Sequence, residues 1–137
     1  MAECKIAKEV AEQQFDLFMS KWRLLAGLER MNDEQRENYV KNREVFIEAV
    51  MEGDLAVHDD GSPVFTPVDS ELREPIKFQR PKGSTIMAID DAKQEKQMRR
   101  TNAVLAAITG QSASRFANMY LSDLNVCYAV MNIALGG

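Results

Sequence analysis

Apolar residues recur every three or four positions through two stretches of the amino-terminal third. Ile6, Val10, Phe18, Trp22 and Leu25 mark the first, and Tyr39, Val40, Phe46, Ile47, Val50 and Met51 the second. This spacing puts them along one side of a helix and predicts two amphipathic helices. Gly27 weakens the end of the first. Asn32 opens the second, because its side chain accepts from free backbone amides, and the following Asp33 and Glu34 favour the positive end of the helix dipole. Gly53 supplies a stop.

The pattern changes over residues 54–82, which hold all four prolines and only short apolar runs, so a long helix is excluded. Asp60-Gly61 between Ala56-Val57 and Val64-Phe65 is a hairpin signal, and Pro63 implies an edge strand or a loop longer than two residues. Ile76-Lys77-Phe78-Gln79 reads as a third strand bracketed by Pro75 and Pro81, with Ile76 and Phe78 on one face. This stretch is the expected arm and the expected mobile element.

Helical spacing returns from Ser84, a candidate cap for a short helix through Met87 and Ile89. A longer helix follows through Met98, Val104, Leu105 and Ile108, ended by Gly110. Ser112 or Ser114 begins a short helix carrying Phe116 and Met119. Ser122 or Asp123 caps a last one carrying Leu124, Cys127, Val130, Met131 and Leu135, stopped by Gly136-Gly137. The expected fold is mainly α: one small helical domain over 1–137, of about five or six helices, with a short antiparallel hairpin or arm near 55–80. Its parts are a helical pair at 1–53, the arm at 54–82 and the carboxy-terminal helices at 83–137.

Composition narrows the function classes. Hydrophobic residues are 45% of the chain and charged residues 28%, enough apolar surface for a core. Seventeen basic against 21 acidic residues leave a net charge of −4, without the basic footprint of a duplex binder, so nucleic acid is a weak default partner. Cys4 and Cys127 form no CxxC pair, which suggests neither a disulfide framework nor a zinc site and fits a reduced, cytoplasmic setting. Glu3, Glu9 and Glu12 interrupt any signal-like run near the start, and no uncharged stretch approaches the roughly 18 residues of a membrane span.

Candidate chemistry is sparse. His58, the one histidine, has Asp59 and Asp60 beside it, a pair that can orient an imidazole base. A Pro/Gly/Asp hairpin tip accounts for the same residues, and side chains that diverge along an extended chain do not converge on a metal. Asp90 and Asp91 point about 100° apart on a helix. Neither GxGxxG nor GxxxxGK[ST] is present, so no cofactor or nucleotide site is expected. Charge is segregated: Glu52, Asp54, Asp59 and Asp60 are acidic, whereas Lys77, Arg80, Lys82, Lys93, Lys96, Arg99 and Arg100 are basic. Solvated faces explain both groups; the sharper reading is a head-to-tail contact between copies that builds rings or open spirals.

The segment from Pro75 to Leu135 carries IKFQRPKGSTIMAID and then NAVLAAITGQSASRFANMYLSDLNVCYAVMNIAL. It resembles the tail assembly chaperones of long-tailed bacterial viruses at Gln79-Arg80-Pro81-Lys82-Gly83, at Leu105 through Thr109-Gly110, and at Leu121-Ser122-Asp123. Residues 1–53 lie outside that pattern. The resemblance implies binding work without catalysis: engagement of the long tape-measure protein, delivery of tail-tube subunits through a frameshifted longer product, and absence from the finished virion. On that reading this chain is the shorter product, acting in the host cytoplasm.

Helical tape-measure stripes left unpaired before assembly would aggregate unless covered. An expected partner groove is drawn from Phe15, Phe18, Met19 and Trp22 with Phe116 and Met119, against the alternative that they fill this domain's own core. The eight methionines suit either use. Two other classes remain beside the chaperone: a minor structural or connector protein of the virion tail, and a small enzyme built around His58.

Overall fold

A computed structural model describes residues 5–91 and 97–136. Seven helices and three strands are present among them. In chain order they are α1 (Lys8–Lys21), α2 (Leu25–Leu28), α3 (Asp33–Met51), β1 (Leu55–Val57), β2 (Pro63–Phe65), β3 (Ile76–Lys77), α4 (Gly83–Asp91), α5 (Gln97–Thr109), α6 (Ala113–Ala117) and α7 (Leu121–Ala134). The class is the expected one, mainly helical with a small antiparallel sheet. The seventh helix is the single turn α2, which continues the chain past the break that ends α1.

The break in α1 comes at Arg23, not at Gly27. Arg23 adopts φ 56°, the left-handed region that terminates a helix. The Arg23 N–H donates to Ser20 O at 3.1 Å and the Leu24 N–H to Met19 O at 2.9 Å, satisfying the last carbonyls of α1. A side chain with a Cβ is disfavoured there by about 1–2 kcal/mol. Arg23→Gly is therefore expected to stabilise the protein by about 1 kcal/mol, read as a higher urea midpoint; an unchanged or lower midpoint would refute the strain at this position. The end of α3 uses the same geometry with the residue that suits it. Gly53 has φ 85°, and the Asp54 N–H reaches Ala49 O at 3.0 Å.

α3 starts as its sequence indicates. Asn32 Oδ1 accepts from Gln35 N at 2.8 Å and Gln35 Oε1 accepts from Asn32 N at 3.0 Å, a reciprocal capping box. The expected caps of α4 and α7 differ from those found. α4 begins at Gly83, with Ser84 inside its first turn and Thr85 Oγ1 accepting from Lys82 N. α7 begins at Leu121 after Tyr120, and Asp123 serves a distant loop instead of its own helix.

The three strands pair in the order β1-β2-β3, antiparallel throughout. The hairpin loop spans residues 58–62, closed by His58 N to Ser62 O at 3.0 Å and by Ser62 N to Asp60 Oδ1 at 2.9 Å. The longer loop, not an edge position, accommodates Pro63: β2 is the central strand and Pro63 is its first residue. Gly61 is buried against α1, where an added Cβ would collide with Lys21 Cβ, so the tip is moulded to that helix.

Leu55, Phe65 and Ile76 are register partners and form one buried row across the sheet, and Phe78 continues the buried face. Segment 54–82 is thus a packed layer of the domain and not a protruding arm, because alternate side chains of all three strands face the same core. Gln79 then leaves the sheet, its N–H donating to Ile108 O of α5 at 2.7 Å.

α3 packs against both α1 and α7, β1 lies against α1 and α3, and α5 contacts α4, α6 and α7. The stripe that α1 buries is Ala11, Phe15, Phe18, Met19 and Trp22, while Val10 and Leu25 are exposed. Phe18 and Trp22 of the expected stripe are in it and Ile6 packs partly buried against the core, while Ala11 and Phe15 are buried in place of Val10. Phe15 and Phe18 meet Phe46 of α3, and Trp22 meets Phe18 edge-on. Phe18 stacks on Phe46 at 5.2 Å between ring centroids, and Phe15 meets Phe46 edge-on at 5.0 Å. Among the described residues no helix is long and apolar enough to cross a membrane.

Candidate functional site

The six residues assigned to a partner groove occupy the core. Phe15, Phe18, Met19, Trp22, Phe116 and Met119 are each 0–9% exposed. They do not form an exposed groove, because the apolar faces of α1 and α6 are covered by this chain's own α3, β1 and α5; of the six only Met119, 9% exposed, reaches a surface cleft. The exposed large apolar residues are others, among them Leu72, Met87, Tyr120 and Leu121.

The acidic residues divide between two places. Glu52 and Asp54, just past α3, line a cleft of about 270 Å³ together with Glu48, Asp69, Ser122 and Asp123. Asp59 and Asp60 sit with His58 at the hairpin tip, in a separate shallow depression. Asp60 pairs with Lys77 of the same chain at 3.5 Å, an exposed contact of small energy. Of the basic residues, Arg80 and Lys82 lie exposed on the connection into α4, Arg99 is exposed and Arg100 half-buried on α5, and Lys93 and Lys96 lie outside the described residues.

The 270 Å³ cleft is organised by Asp123, only 2% exposed in the first turn of α7. Its Oδ1 accepts from Val68 N at 2.9 Å. Its Oδ2 accepts from Asp69 N at 3.0 Å, Ser70 N at 2.8 Å and Ser70 Oγ at 2.7 Å. Ser70 Oγ in turn accepts from Tyr120 N at 3.2 Å, so one carboxylate and one hydroxyl fasten residues 68–70 to the start of α7. Ser122 Oγ donates to Asp69 Oδ2 beside them.

Burial works to raise the Asp123 carboxyl, but the hydrogen bonds from Val68, Ser70 and Asp69 outweigh it and hold it below the ordinary carboxylate value. The neighbouring acids behave oppositely. Glu52 is raised by the partial burial of its carboxyl, although most of the side chain is exposed, and then by the charge and hydrogen bond of Asp54. Asp54 is raised by burial, with the Asp123 and Asp69 charges adding to it and Glu52 and Lys5 opposing. The result is a fixed anion under a rim of carboxyls that hold their protons more tightly than usual. Among the described residues no acidic, histidine or cysteine group is arranged to hold a metal ion.

Cys127 is fully buried, and burial followed by the Asp123 charge pushes its thiol up to about 12, so it is inert as a nucleophile at neutral pH. Cys4 lies outside the described residues. His58 is exposed, and the side chains lining its depression are Val57, Asp59 and Asp60, which offer no serine or cysteine for it to activate.

Two residues with structural weight escaped the sequence reading. Asp123 was expected as a helix cap, and Arg115 was not singled out. Arg115 is 8% exposed, anchored by Nη1 to Gln111 Oε1 at 2.8 Å and by Nη2 to the Glu74 carbonyl. The only sequence signal for Arg115 was its place beside Phe116 in a short helix, which left its direction open. No protein-family model matches the chain, and no curated protein and no solved structure matches it.

Proposed function

We propose that the chain is a tail assembly chaperone of a long-tailed bacterial virus, which binds the tape-measure protein, keeps it soluble and recruits tail-tube subunits in the host cytoplasm, by binding and without catalysis. The observation that carries the reading is how the segments of the family pattern are used in the fold. Gln79, in the Gln-Arg-Pro-Lys-Gly segment, bonds directly to Ile108 next to Thr109-Gly110, and the Leu-Ser-Asp segment contributes Asp123, the anchor of the 68–70 loop. Each short motif thus sits at a junction between elements, where a family pattern has a physical reason to persist. Partner contact then falls to exposed apolar residues such as Met87, Tyr120 and Leu121 in place of the buried aromatic set. Self-association would run from the acidic rim at Glu52 and Asp54 to Arg80, Lys82, Arg99 and Arg100 of the next copy.

Co-expression with the tape-measure and tube proteins encoded beside it tests the assignment. Soluble, co-purifying tape measure is the expected result. Insoluble, unbound tape measure beside a well-folded chain would remove the assignment, and detection of the chain in purified particles would favour a minor structural or connector protein. Sedimentation at low and high salt checks the charge-driven contact, which should weaken as the Debye length shortens; a salt-independent monomer would exclude it.

A further inference from the structure

Arg115 is a buried cation that makes no ion pair among the described residues. Its side chain lines a cleft of about 340 Å³ with Ser70, Glu71, Leu72, Asn118, Met119 and Tyr120. Of the guanidinium's five N–H donors, two have partners among the described residues, the Gln111 amide oxygen and the Glu74 carbonyl, both uncharged. Nε is buried with no acceptor at all. None of the ion pairs among the described residues involves Arg115. The buried carboxylate of the region, Asp123, is committed to Val68, Asp69 and Ser70. An unneutralised guanidinium in such a place is costly, and a hydrogen-bonded anion is what relieves the cost.

The mouth of the same cleft is mixed and open to solvent, with exposed Leu72 and Tyr120 beside the polar Ser70, Glu71 and Asn118. Leu72 is 58% and Tyr120 63% exposed, and Leu121, next to Tyr120 in the chain, is 67% exposed. Leu72 and Tyr120, which line the cleft with Arg115, match the anatomy of a binding hot spot: an aromatic and an aliphatic anchor beside a desolvated Arg. We infer that this cleft is a docking site for a partner polypeptide that presents a glutamate or aspartate side chain flanked by large apolar residues. The carboxylate meets the Arg115 guanidinium, and the flanking residues cover Leu72 and Tyr120. A carboxylate suits the planar fork of Arg, which takes two parallel hydrogen bonds. A free small anion would leave Leu72 and Tyr120 uncovered, so the chemistry favours a polypeptide. The cleft's requirement is the same whichever protein supplies the segment, and it does not depend on the tape-measure assignment.

The test uses the full chain labelled with 15N and 13C. The probes are a capped helical peptide with one glutamate between two leucines, its glutamine twin, and sodium acetate. Binding of the glutamate peptide should shift the Arg115 Nε–H, Leu72 and Tyr120 signals together, with a Kd at least about tenfold below that of the twin, as expected for one charge-assisted pair. Tyr120→Ser and Leu72→Ser, both at exposed positions, should each weaken the glutamate peptide by about fivefold or more while leaving the thermal midpoint unchanged, which keeps the test open if Arg115 variants fail to fold. Equal affinities for the two peptides, or no shift of these signals, would overturn the site. Acetate moving Arg115 as strongly as the peptide, with Leu72 and Tyr120 silent, would reduce it to a small-anion pocket and also overturn it. Shifts at the cleft that track the chain's own concentration without peptide would assign it to a second copy and overturn the choice of a different partner.

Discussion

Replacing Phe46 with alanine is expected to cost about 3–5 kcal/mol, the range for removing a fully buried ring that the surroundings cannot refill. Phe46 is 0% exposed and meets two rings of α1, Phe15 edge-on at 5.0 Å and Phe18 in a stack at 5.2 Å. Each aromatic contact of this kind adds about 0.5–1.5 kcal/mol beyond burial. Total stability of a domain this size is about 5–15 kcal/mol, so the variant should sit close to its unfolding threshold at 37 °C. The lone Trp22 makes the measurement direct. It is 4% exposed and 4.9 Å from the Phe18 ring, so its emission should shift to the red as the cluster opens in urea. A loss below about 1 kcal/mol would show that α1 and α3 do not close on each other as described. The same cluster explains why its aromatics do not serve a partner: exposing them would forfeit the contact that joins the amino-terminal helices.

Asp123→Ala should be the most damaging polar substitution, costing about 3 kcal/mol or more. It removes the acceptor of four hydrogen bonds and strands the donors of Ser70, itself only 3% exposed, each such buried group costing about 1–3 kcal/mol. Asp123→Asn is milder, about 1–2 kcal/mol, because a carbonyl oxygen at the Oδ2 position keeps three donors and only Val68 N–H then faces an amino group. The two variants therefore order as wild type, Asn, Ala in urea midpoint. A reversed order, or no change, would sink the clamp.

The pH dependence follows in sign. Asp123 is held below its ordinary value of 3.8, so its contribution is complete above 3.8 and is lost as pH falls through the depressed value. Glu52 and Asp54 are raised above 4.5 and 3.8 respectively. Through that mildly acidic window the folded chain binds more protons than the unfolded one, and these two groups cost stability as pH rises. The wild type should accordingly hold its midpoint, or gain slightly, on mild acidification and then lose it below 3.8. Asp123→Asn should shrink the second limb, leaving the share of Asp60, which the Ser62 hydrogen bonds also hold low, and keep the first. Urea midpoints across this range read both limbs, and an unchanged acid limb in the variant would place the stabilising carboxylate elsewhere.

Features set by neighbours in the chain were legible beforehand. The capping box at Asn32, the stop at Gly53, the hairpin around Asp60-Gly61 and the alternation of Ile76 and Phe78 each need contacts only a few residues apart. The buried face of α1 was legible in Phe18 and Trp22 but not at Val10, which is exposed, because Ala11 adds little to an apolar pattern and Val10 adds much. α2 arose from a left-handed arginine, for which no residue pattern gives notice.

The candidate site was nearly invisible for a related reason. Asp123 takes its partners from residues 53–55 positions away, and Arg115 ties to a carbonyl 41 positions away. Side-chain type announces what such groups can bond to, but not which backbone will close over them. Spacing and local hydrogen bonds made the helical class, the location of the small sheet, the start and stop of α3 and the segregation of charge readable from the residues alone. That the aromatic residues of α1 and α6 are core, that Asp123 is a clamp and that Arg115 lies buried with no ion pair among the described residues emerged from the packing alone, because burial and desolvation depend on which distant segments pack together.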